Sequence, residues 1–348
     1  MHRRNFLTGA LSAATSLLLP PSVAMSSGLS GFVYTADEHG NSISVIDLST
    51  SLVTVVPVTI SPHNIQVSAD GARVLAVGEP AKGAGHSHGA RDHTDKAEGR
   101  LLVFDSKRMR SGPIASTLVG KHPAHVVVDR EGKRAFVTLA GSDAVAVVDL
   151  ARKQIARRIK TGRYPHGLRV SPDGREIYVA NVEGGSVTVI NIDTGAESAR
   201  IPVGSAPVQV GFTPDGARVY VSLRDENRVA VIDTATRTVV ARISVGRNPI
   251  QVHSTPDGRF VYVANQGTEA NPADTVSVID VSESSVVDTI RTGAGAHGVA
   301  VSNDGRFAFI TNIVDGTVTA VDTERRSVVT TFAVGKGPNG ISFRSGAA

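Results

Sequence analysis

A repeat of about 42 residues constrains this chain more than any other feature of its sequence. A proline that opens a short apolar run recurs along the chain, and a glycine suited to a tight turn follows most copies after nine residues. Short alternating segments fill each unit, and this period with four strands per unit predicts a β-propeller. The recurring position is held by Pro62, Pro123, Pro165, Pro207, Pro249, Ala296 and Pro338.

One complete unit shows the plan. Residues 165–170 form a predicted inner strand, and a Ser-Pro-Asp-Gly turn follows it. Residues 176–180 and 186–190 alternate with a period of two, as half-buried strands do. A fourth predicted strand ends near Pro202. The sequence therefore predicts short antiparallel strands and no long helix.

The units are out of phase at the two ends of the chain. The first unit, from residue 32, has strands two to four but no inner strand, whereas residues 338–345 provide an inner strand and nothing more. Together they complete one blade. We therefore predict an all-β, seven-bladed β-propeller over residues 29–346, closed by a blade that the two chain ends share and that leaves no free sheet edge at the junction.

Short motifs at the second strands carry a family resemblance. The segment Tyr-Val-Ala-Asn stands at residues 178–181 and again at 262–265, with weaker copies at 220–222 and 309–312. With the Ser/Thr-Pro-Asp-Gly turns, these motifs resemble the YVTN family of seven-bladed propellers across residues 32–345. The resemblance implies the fold, and since this fold hosts many activities the function must be argued from the site.

The N-terminal segment is predicted to be a signal peptide. Arg3 and Arg4 precede Phe-Leu and a weakly apolar run, and small residues at Ser22 and Ala24 suit cleavage after Ala24. This pattern resembles a twin-arginine signal, with an ordinary secretory signal as the alternative. The run is too short to span a bilayer. Residues 1–24 therefore predict a periplasmic protein without a membrane span.

Composition excludes several classes of protein. The chain has no cysteine, which rules out disulfides, iron–sulfur clusters and c-type haem attachment. It has no tryptophan, on which the blades of quinoprotein dehydrogenases depend, so PQQ is not expected. The net charge of +4 is scattered over the turns, without a basic run interleaved with aromatic residues. We expect a monomer that does not bind nucleic acid.

Two units break the period in the same kind of loop. The step from Pro62 to Pro123 is 61 residues long, and most of the excess forms an insertion at residues 80–98 between strands two and three. A smaller excess falls in the equivalent loop around residues 266–274. Insertions confined to one kind of loop mark one face of a repeat protein, which we call the top face. Histidine-rich tracts of this kind are typical of metal binding, and the insertion contains His86, His88, Asp92 and His93.

The remaining histidines also concentrate on the top face. His63, His166 and His297 occupy the position directly after the recurring proline, and His125 lies one position further on. Three imidazoles with a fourth ligand from the insertion suit Zn²⁺, and also Cu²⁺ or Ni²⁺. We predict the tight site at the first three, with a weaker site in the insertion. His122 and His253 are interpreted as structural.

The sequence favours a periplasmic metal binder without enzymatic activity, acting as a carrier or buffer for zinc. The His/Asp-rich loop and the following Lys-His-Pro-Ala-His segment, at residues 121–125, resemble the propeller-shaped metallochaperones of zinc uptake, which implies an uptake system or a metalloprotein as partner. Three alternatives stay open. The chain could be a redox-related propeller that binds d-type haem or another cofactor, with His63, His166 or His297 as an axial ligand. It could instead be a metal-dependent lactonase or lyase, or a protein-interaction platform. A lactonase metal requires rim carboxylates, for which the top loops offer Glu38, Glu183, Asp225, Glu226, Glu269 and Asp315.

Overall fold

A computed structural model describes residues 28–81 and 98–346 of the chain. These residues form seven four-stranded antiparallel sheets, arranged as the blades of a propeller, and four single-turn 3₁₀ segments. The prediction of an all-β, seven-bladed β-propeller is confirmed. No helix among the described residues has the length and apolar character needed to cross a bilayer.

The blades are numbered in chain order. Blade 1 contains β1 (Phe32–Asp37), β2 (Ser42–Asp47), β3 (Leu52–Pro57) and β28 (Pro338–Arg344). Blade 2 contains β4 (Ile60–Val67), β5 (Arg73–Pro80), β6 (Gly99–Asp105) and β7 (Ala115–Gly120). Blade 3 contains β8 (Pro123–Val128), β9 (Arg134–Leu139), β10 (Ala144–Asp149) and β11 (Gln154–Lys160). Blade 4 contains β12 (Pro165–Val170), β13 (Glu176–Asn181), β14 (Ser186–Asn191) and β15 (Glu197–Pro202).

Blade 5 contains β16 (Pro207–Phe212), β17 (Arg218–Leu223), β18 (Arg228–Asp233) and β19 (Thr238–Ser244). Blade 6 contains β20 (Pro249–Ser254), β21 (Phe260–Gly267), β22 (Pro272–Asp280) and β23 (Ser285–Arg291). Blade 7 contains β24 (Ala296–Val301), β25 (Phe307–Asn312), β26 (Thr317–Asp322) and β27 (Ser327–Ala333). The 3₁₀ segments are Glu38–Gly40, Met109–Ser111, Ala140–Ser142 and Arg224–Glu226.

Blade 1 joins the two ends of the described chain. Strand β28 pairs antiparallel with β1, with Val33 opposite Phe343 and Tyr34 opposite Ser342. The side chain of Arg344 adds a hydrogen bond from Nε to the Tyr34 hydroxyl at 3.1 Å. The inner strand of this blade thus comes from the opposite end of the chain to its other three strands.

The core lies between the blades. Seven clusters of buried apolar side chains fill the seven spaces between neighbouring blades, including the space between blades 7 and 1. The tyrosines of the second strands are buried in these spaces. Tyr34 donates from its hydroxyl to the carbonyl of Ser106 in blade 2, and Tyr262 donates to Thr323 in blade 7. Packing is therefore continuous around the ring.

The start of each inner strand departs from regular pairing. In β12, Pro165 pairs with Asn181 but Leu168 pairs with Val179, so the register shifts across His166 and its neighbour. The same irregularity recurs at the starts of the other inner strands of blades 2 to 7. Such bulges turn a side chain away from the regular pleat. They place the residues after the recurring proline at the top mouth of the central channel.

Candidate metal centre

Three histidines from neighbouring blades meet at the top mouth of the channel. His63 lies on β4, His125 on β8 and His166 on β12, and one ring nitrogen from each lies within 4.8 Å of the others. The Nε2 atoms of His63 and His166 are 3.1 Å apart. The ring centroid of His125 lies 5.7 Å from the centroid of His63 and 4.7 Å from the centroid of His166. This trio is called the histidine cluster below.

Gly167 explains how closely the strands approach at the cluster. A Cβ atom at this position would lie 2.6 Å from the carbonyl oxygen of Val208 on the next inner strand. Only glycine leaves room for the two backbones at that distance. The close approach also lets Nδ1 of His166 reach the same Val208 carbonyl, at 3.2 Å.

A carboxylate and an amide hold His63 from behind. Glu38 belongs to the 3₁₀ segment after β1, and its Oε2 atom lies 3.2 Å from Nδ1 of His63. Asn339 on β28 donates from Nδ2 to the same oxygen at 2.6 Å. Blade 1 thus orients a histidine that belongs to blade 2, and both side chains of the pair remain about one quarter exposed, at 23% and 24%.

The Nδ1 partners assign the protons of the two facing imidazoles. A carbonyl and a carboxylate only accept hydrogen bonds, so Nδ1 of His166 and Nδ1 of His63 both carry hydrogen. The amide nitrogen of Asn339 also lies 3.1 Å from Nδ1 of His63, but its shorter contact of 2.6 Å is the hydrogen bond that it donates to Glu38. In the neutral rings, the two Nε2 atoms therefore direct lone pairs at each other across 3.1 Å. That arrangement is repulsive unless a cation, either a proton or a metal ion, lies between them.

The charge state of the cluster follows from burial and from Glu38. Burial favours neutral His63, but the Glu38 carboxylate outweighs it and raises the pKa of His63. Burial likewise opposes ionisation of Glu38, yet His63 and Asn339 lower the pKa of Glu38 to about 2. Burial, with His63 and His297 nearby, lowers the pKa of His166 to about 3. Burial also holds the pKa of His125 well below its usual value. The cluster therefore carries one favoured positive charge, opposite Glu38.

His297 stands apart from the cluster. It lies on β24 and is buried, and its Nδ1 atom has no hydrogen-bond partner among the described residues. Burial and the nearby charge of His63 lower its pKa to about 4. We predicted His63, His166 and His297 as the tight site, but the structure brings His125 rather than His297 beside the first two. The reason is ring position, since His125 lies one blade from both His63 and His166, while His297 lies two blades from His63 and three from His166.

His125 is fixed by a glutamine of blade 5. Gln209 accepts a hydrogen bond from the backbone N–H of Val210 at 2.9 Å, which orients its amide. Its Nε2 then lies 3.4 Å from Nδ1 of His125. His125 is only 1% exposed, so it forms the inner wall of the cluster.

A pocket of about 210 Å³ opens from the cluster toward solvent. It is lined by Glu38, His63 and His166, and by Glu79 at the end of β5. The Nδ1 atom of His122, which we interpreted as structural, contacts the Glu79 carboxylate at the rim of this pocket. The predicted loop ligands His86, His88, Asp92 and His93 lie outside the described residues, between β5 and β6.

The second predicted insertion, around residues 266–274, lengthens a hairpin. Strand β21 ends at Gly267 and strand β22 begins at Pro272. In the turn between them, Thr268 and Asn271 exchange two backbone hydrogen bonds. None of these residues lines the pocket beside the cluster.

Sequence reasoning included Glu38 only as one of six carboxylates available to a lactonase metal. Its pairing with His63 joins residues 25 positions apart across two blades. The position of Glu38 in the sequence could have indicated this pairing, because Glu38 lies in the same kind of loop as the insertion, one blade before His63.

Two family models match parts of the chain. The YNCE-like beta-propeller model matches residues 114–257, and the cytochrome D1 heme domain model matches residues 219–337. The chain is a seven-bladed β-propeller with a YNCE-like segment. This agrees with the resemblance to repeat propellers drawn from its motifs. No curated protein matches the chain.

Solved structures with the same fold share little sequence with the chain. Hydrazine synthase from Kuenenia stuttgartiensis is 22% identical, with a TM-score of 0.68, covering 81% of this chain and 89% of that one. A functionally unknown protein from Desulfotomaculum acetoxidans DSM 771 is 16% identical, with a TM-score of 0.74, covering 91% and 100%. A protein from Bacteroides fragilis NCTC 9343, provisionally described as a 6-phosphogluconolactonase, is 16% identical, with a TM-score of 0.72, covering 94% and 100%. At these identities the likeness concerns the fold alone.

Proposed function

We propose that this protein binds a divalent transition metal, zinc above all, at the histidine cluster, and serves as a periplasmic carrier or buffer rather than an enzyme. The observation that carries the proposal is the 3.1 Å separation of two imidazole Nε2 atoms whose Nδ1 atoms are both engaged as donors. A metal ion between them would replace the proton that otherwise bridges the two lone pairs, and would form two coordinate bonds.

The geometry suits zinc. Two imidazoles at a Zn–N distance of 2.0–2.1 Å in tetrahedral geometry place their nitrogens about 3.3 Å apart. The observed 3.1 Å is close to that value. A carboxylate behind a metal-binding histidine fixes its ring and raises its basicity, which is the relation of Glu38 to His63. His125 would be the third ligand, and the adjoining pocket would admit a fourth.

The surroundings favour binding over catalysis. Hydrolysis at a metal is commonly assisted by a base that takes a proton from the metal-bound water. Glu38, the carboxylate nearest the cluster in the pocket lining, is engaged by His63 and by Asn339. Its pKa of about 2 also makes it a weak base. A carrier needs only ligands and access, and the partial exposure of His63 provides access.

Competition with a chelator of known affinity tests the site. We expect His63→Ala, His125→Ala and His166→Ala each to weaken zinc binding by at least tenfold. His297→Asn is the matched control, because Asn339 holds the same repeat position in the next blade, and its affinity should stay within about threefold of the parent protein. Equal losses in all four variants would contradict the assignment, as would unchanged affinity in the first three.

Haem is the second candidate, because the cytochrome D1 heme domain model matches residues 219–337. That segment includes His297 but not the histidine cluster, so the two candidates predict different residues. Protein purified from the periplasm should contain zinc and lack visible absorbance bands if the first proposal holds. Strong visible bands that His297→Asn abolishes would replace it with a haem protein.

A further inference from the structure

The far end of the central channel holds a second polar cavity, remote from the histidine cluster. It measures about 790 Å³ and opens where the inner strands end, beside turns such as Ser68–Gly71 and Ser302–Asn303. A volume of this size accommodates a small organic molecule. The proposed metal function does not use this cavity.

One repeated position of the inner strands lines the wall of this cavity. The residue four places after the recurring proline faces the cavity in six of the seven blades, and the seventh blade has glycine there. In ring order these residues are Gln66, Val127, Arg169, Gly211, His253, Ala300 and Ser342. The side-chain amide of Gln66 donates to the carbonyl of Val67. The hydroxyl of Ser342 accepts a hydrogen bond from the backbone N–H of Val67. Arg169 and His253 are therefore the polar members of this position with capacity for a ligand.

Arg169 is a partly buried cation without a counter-ion among the described residues. Its guanidinium donates to the carbonyl of the adjacent Leu168 at 3.1 Å, and no carboxylate of the described chain pairs with it. Loss of water around it lowers its pKa to about 10. Because a guanidinium carries five donors, most of its hydrogen-bonding capacity remains for a ligand. A desolvated charge is normally paired, so an anion would complete this site.

His253 provides a second contact two blades away. Its Nδ1 lies 2.9 Å from the carbonyl of Ser254, which leaves Nε2 as an acceptor. Burial and the charge of Arg169 lower its pKa to about 4, so the ring is neutral at neutral pH. Blade 5 lies between the blades of these two residues and has Gly211 at this position, so it adds no side chain to the wall.

The other charges of the cavity also favour an anion. Lys107 and Arg344 line it with Arg169, and Asp70 is the one carboxylate among the described lining residues. Asp70 already accepts hydrogen bonds from the Ser68 hydroxyl and from the backbone N–H of Ala72.

We propose that the far end of the channel binds a small molecule bearing a carboxylate or phosphate group, held by Arg169 with His253 as a second contact. Arginine recognises both groups through paired N–H donors. The neutral imidazole would accept a hydrogen bond from a hydroxyl group of the same ligand.

Isothermal titration calorimetry at constant ionic strength tests this site, with phosphate, sulfate, succinate, citrate and gluconate as probes and chloride as the background ion. We expect at least one oxyanion to bind, and Arg169→Gln to weaken it by about tenfold or more, as loss of a charged hydrogen-bond donor does. Gln66 shows that the repeat accepts glutamine at this position. Binding of phosphate and sulfate alone would identify an inorganic ligand, and tighter binding of gluconate or citrate an organic acid.

Arg228→Gln is the charge-matched control, because Arg228 is exposed at the start of β18 and does not line the cavity. It should leave oxyanion affinity unchanged. His253→Gln should weaken a hydroxy acid more than phosphate. Absence of binding by every probe, or equal affinities in the Arg169 and Arg228 variants, would overturn the proposal. Circular dichroism of each variant identifies a loss of folding.

Discussion

Asp37 is the buried ionisable group whose replacement should most clearly change stability. Its side chain is fully buried and accepts hydrogen bonds from the hydroxyls of Thr35, Ser42 and Ser44. Burial nevertheless raises its pKa from 3.8 to about 6. Three other blades have asparagine at this position, where the amide donates to the equivalent hydroxyls. These residues are Asn181, Asn265 and Asn312.

The expected effect of Asp37→Asn follows from the two pKa values. A carboxyl that ionises near 3.8 in the unfolded chain but at about 6 in the fold destabilises the fold by about 3 kcal/mol at neutral pH. The penalty is absent below pH 3.8, grows as pH rises, and is complete above the folded pKa. The amide loses some of the hydroxyl contacts, so the gain is smaller than the full penalty. We expect Asp37→Asn to raise the free energy of unfolding by about 1–3 kcal/mol at pH 7.5 and to leave it almost unchanged near pH 4.

Denaturant unfolding at pH 4 and pH 7.5 measures this difference. Asn312→Asp is the reciprocal control, and it should introduce the same pH-dependent penalty into blade 7. A gain for Asp37→Asn that is equal at both pH values would refute the electrostatic reasoning. So would a loss of stability at pH 7.5.

Four further predictions concern the site, the ring and export. Glu38→Gln should weaken zinc binding by about 10–100-fold, as loss of a carboxylate behind a histidine ligand does. Zinc affinity in the parent protein should fall as pH drops through the pKa of His63, which Glu38 raises above its usual 6.5, because a proton then competes with the metal for that ring; affinity independent of pH in a chelator competition would contradict this. Deletion of residues 336–348 removes β28 and should lower the unfolding midpoint far more than deletion of residues 82–97, and equally mild effects would contradict the shared blade. Replacement of His86, His88 and His93 by alanine should remove a weaker zinc equivalent and leave the tight one, because a glycine-rich segment loses entropy on binding; loss of all zinc in an equilibrium titration would reverse that ranking. Arg3→Lys with Arg4→Lys should retain the protein in the cytoplasm on cell fractionation, whereas unchanged export would indicate the general secretory route.

The repeat made much of the fold predictable. A fixed period gives every residue an equivalent in each other blade, so residues 165–170 were predicted as an inner strand, and β12 has those bounds. The same equivalence placed His63, His125, His166 and His297 at the top mouth of the channel. Strand alternation and turn chemistry are local properties, and a sequence displays them directly.

The contacts within the site were less predictable, because they join different blades. Equivalent positions suggested that His297 would meet His63 and His166. His125 is nearer to the pair as a whole, because it lies one blade from each, whereas His297 lies two blades from His63 and three from His166. The bulge at the start of β8, between Pro123 and Val126, contains His125 and its neighbour. The period gives the blade of each histidine, but it does not give the effect of a bulge on the direction of a side chain. The same holds for Glu38, whose partner is defined by the packing of blade 1 against blade 2.

The pairing of β28 with β1 also has consequences for the order of folding. Arg344 and Tyr34 are separated by 310 residues, so their contact closes a loop that includes almost the whole propeller. Loop closure becomes less favourable as length increases, and contacts between distant residues slow folding. Because β28 is the last of the described strands to be synthesised, a nascent chain would carry six complete blades and an unpaired β1 until β28 emerges from the ribosome. Ring closure is therefore the last pairing to form among the described strands, and the exposed edge of β1 is where a stalled or truncated chain would associate with another copy.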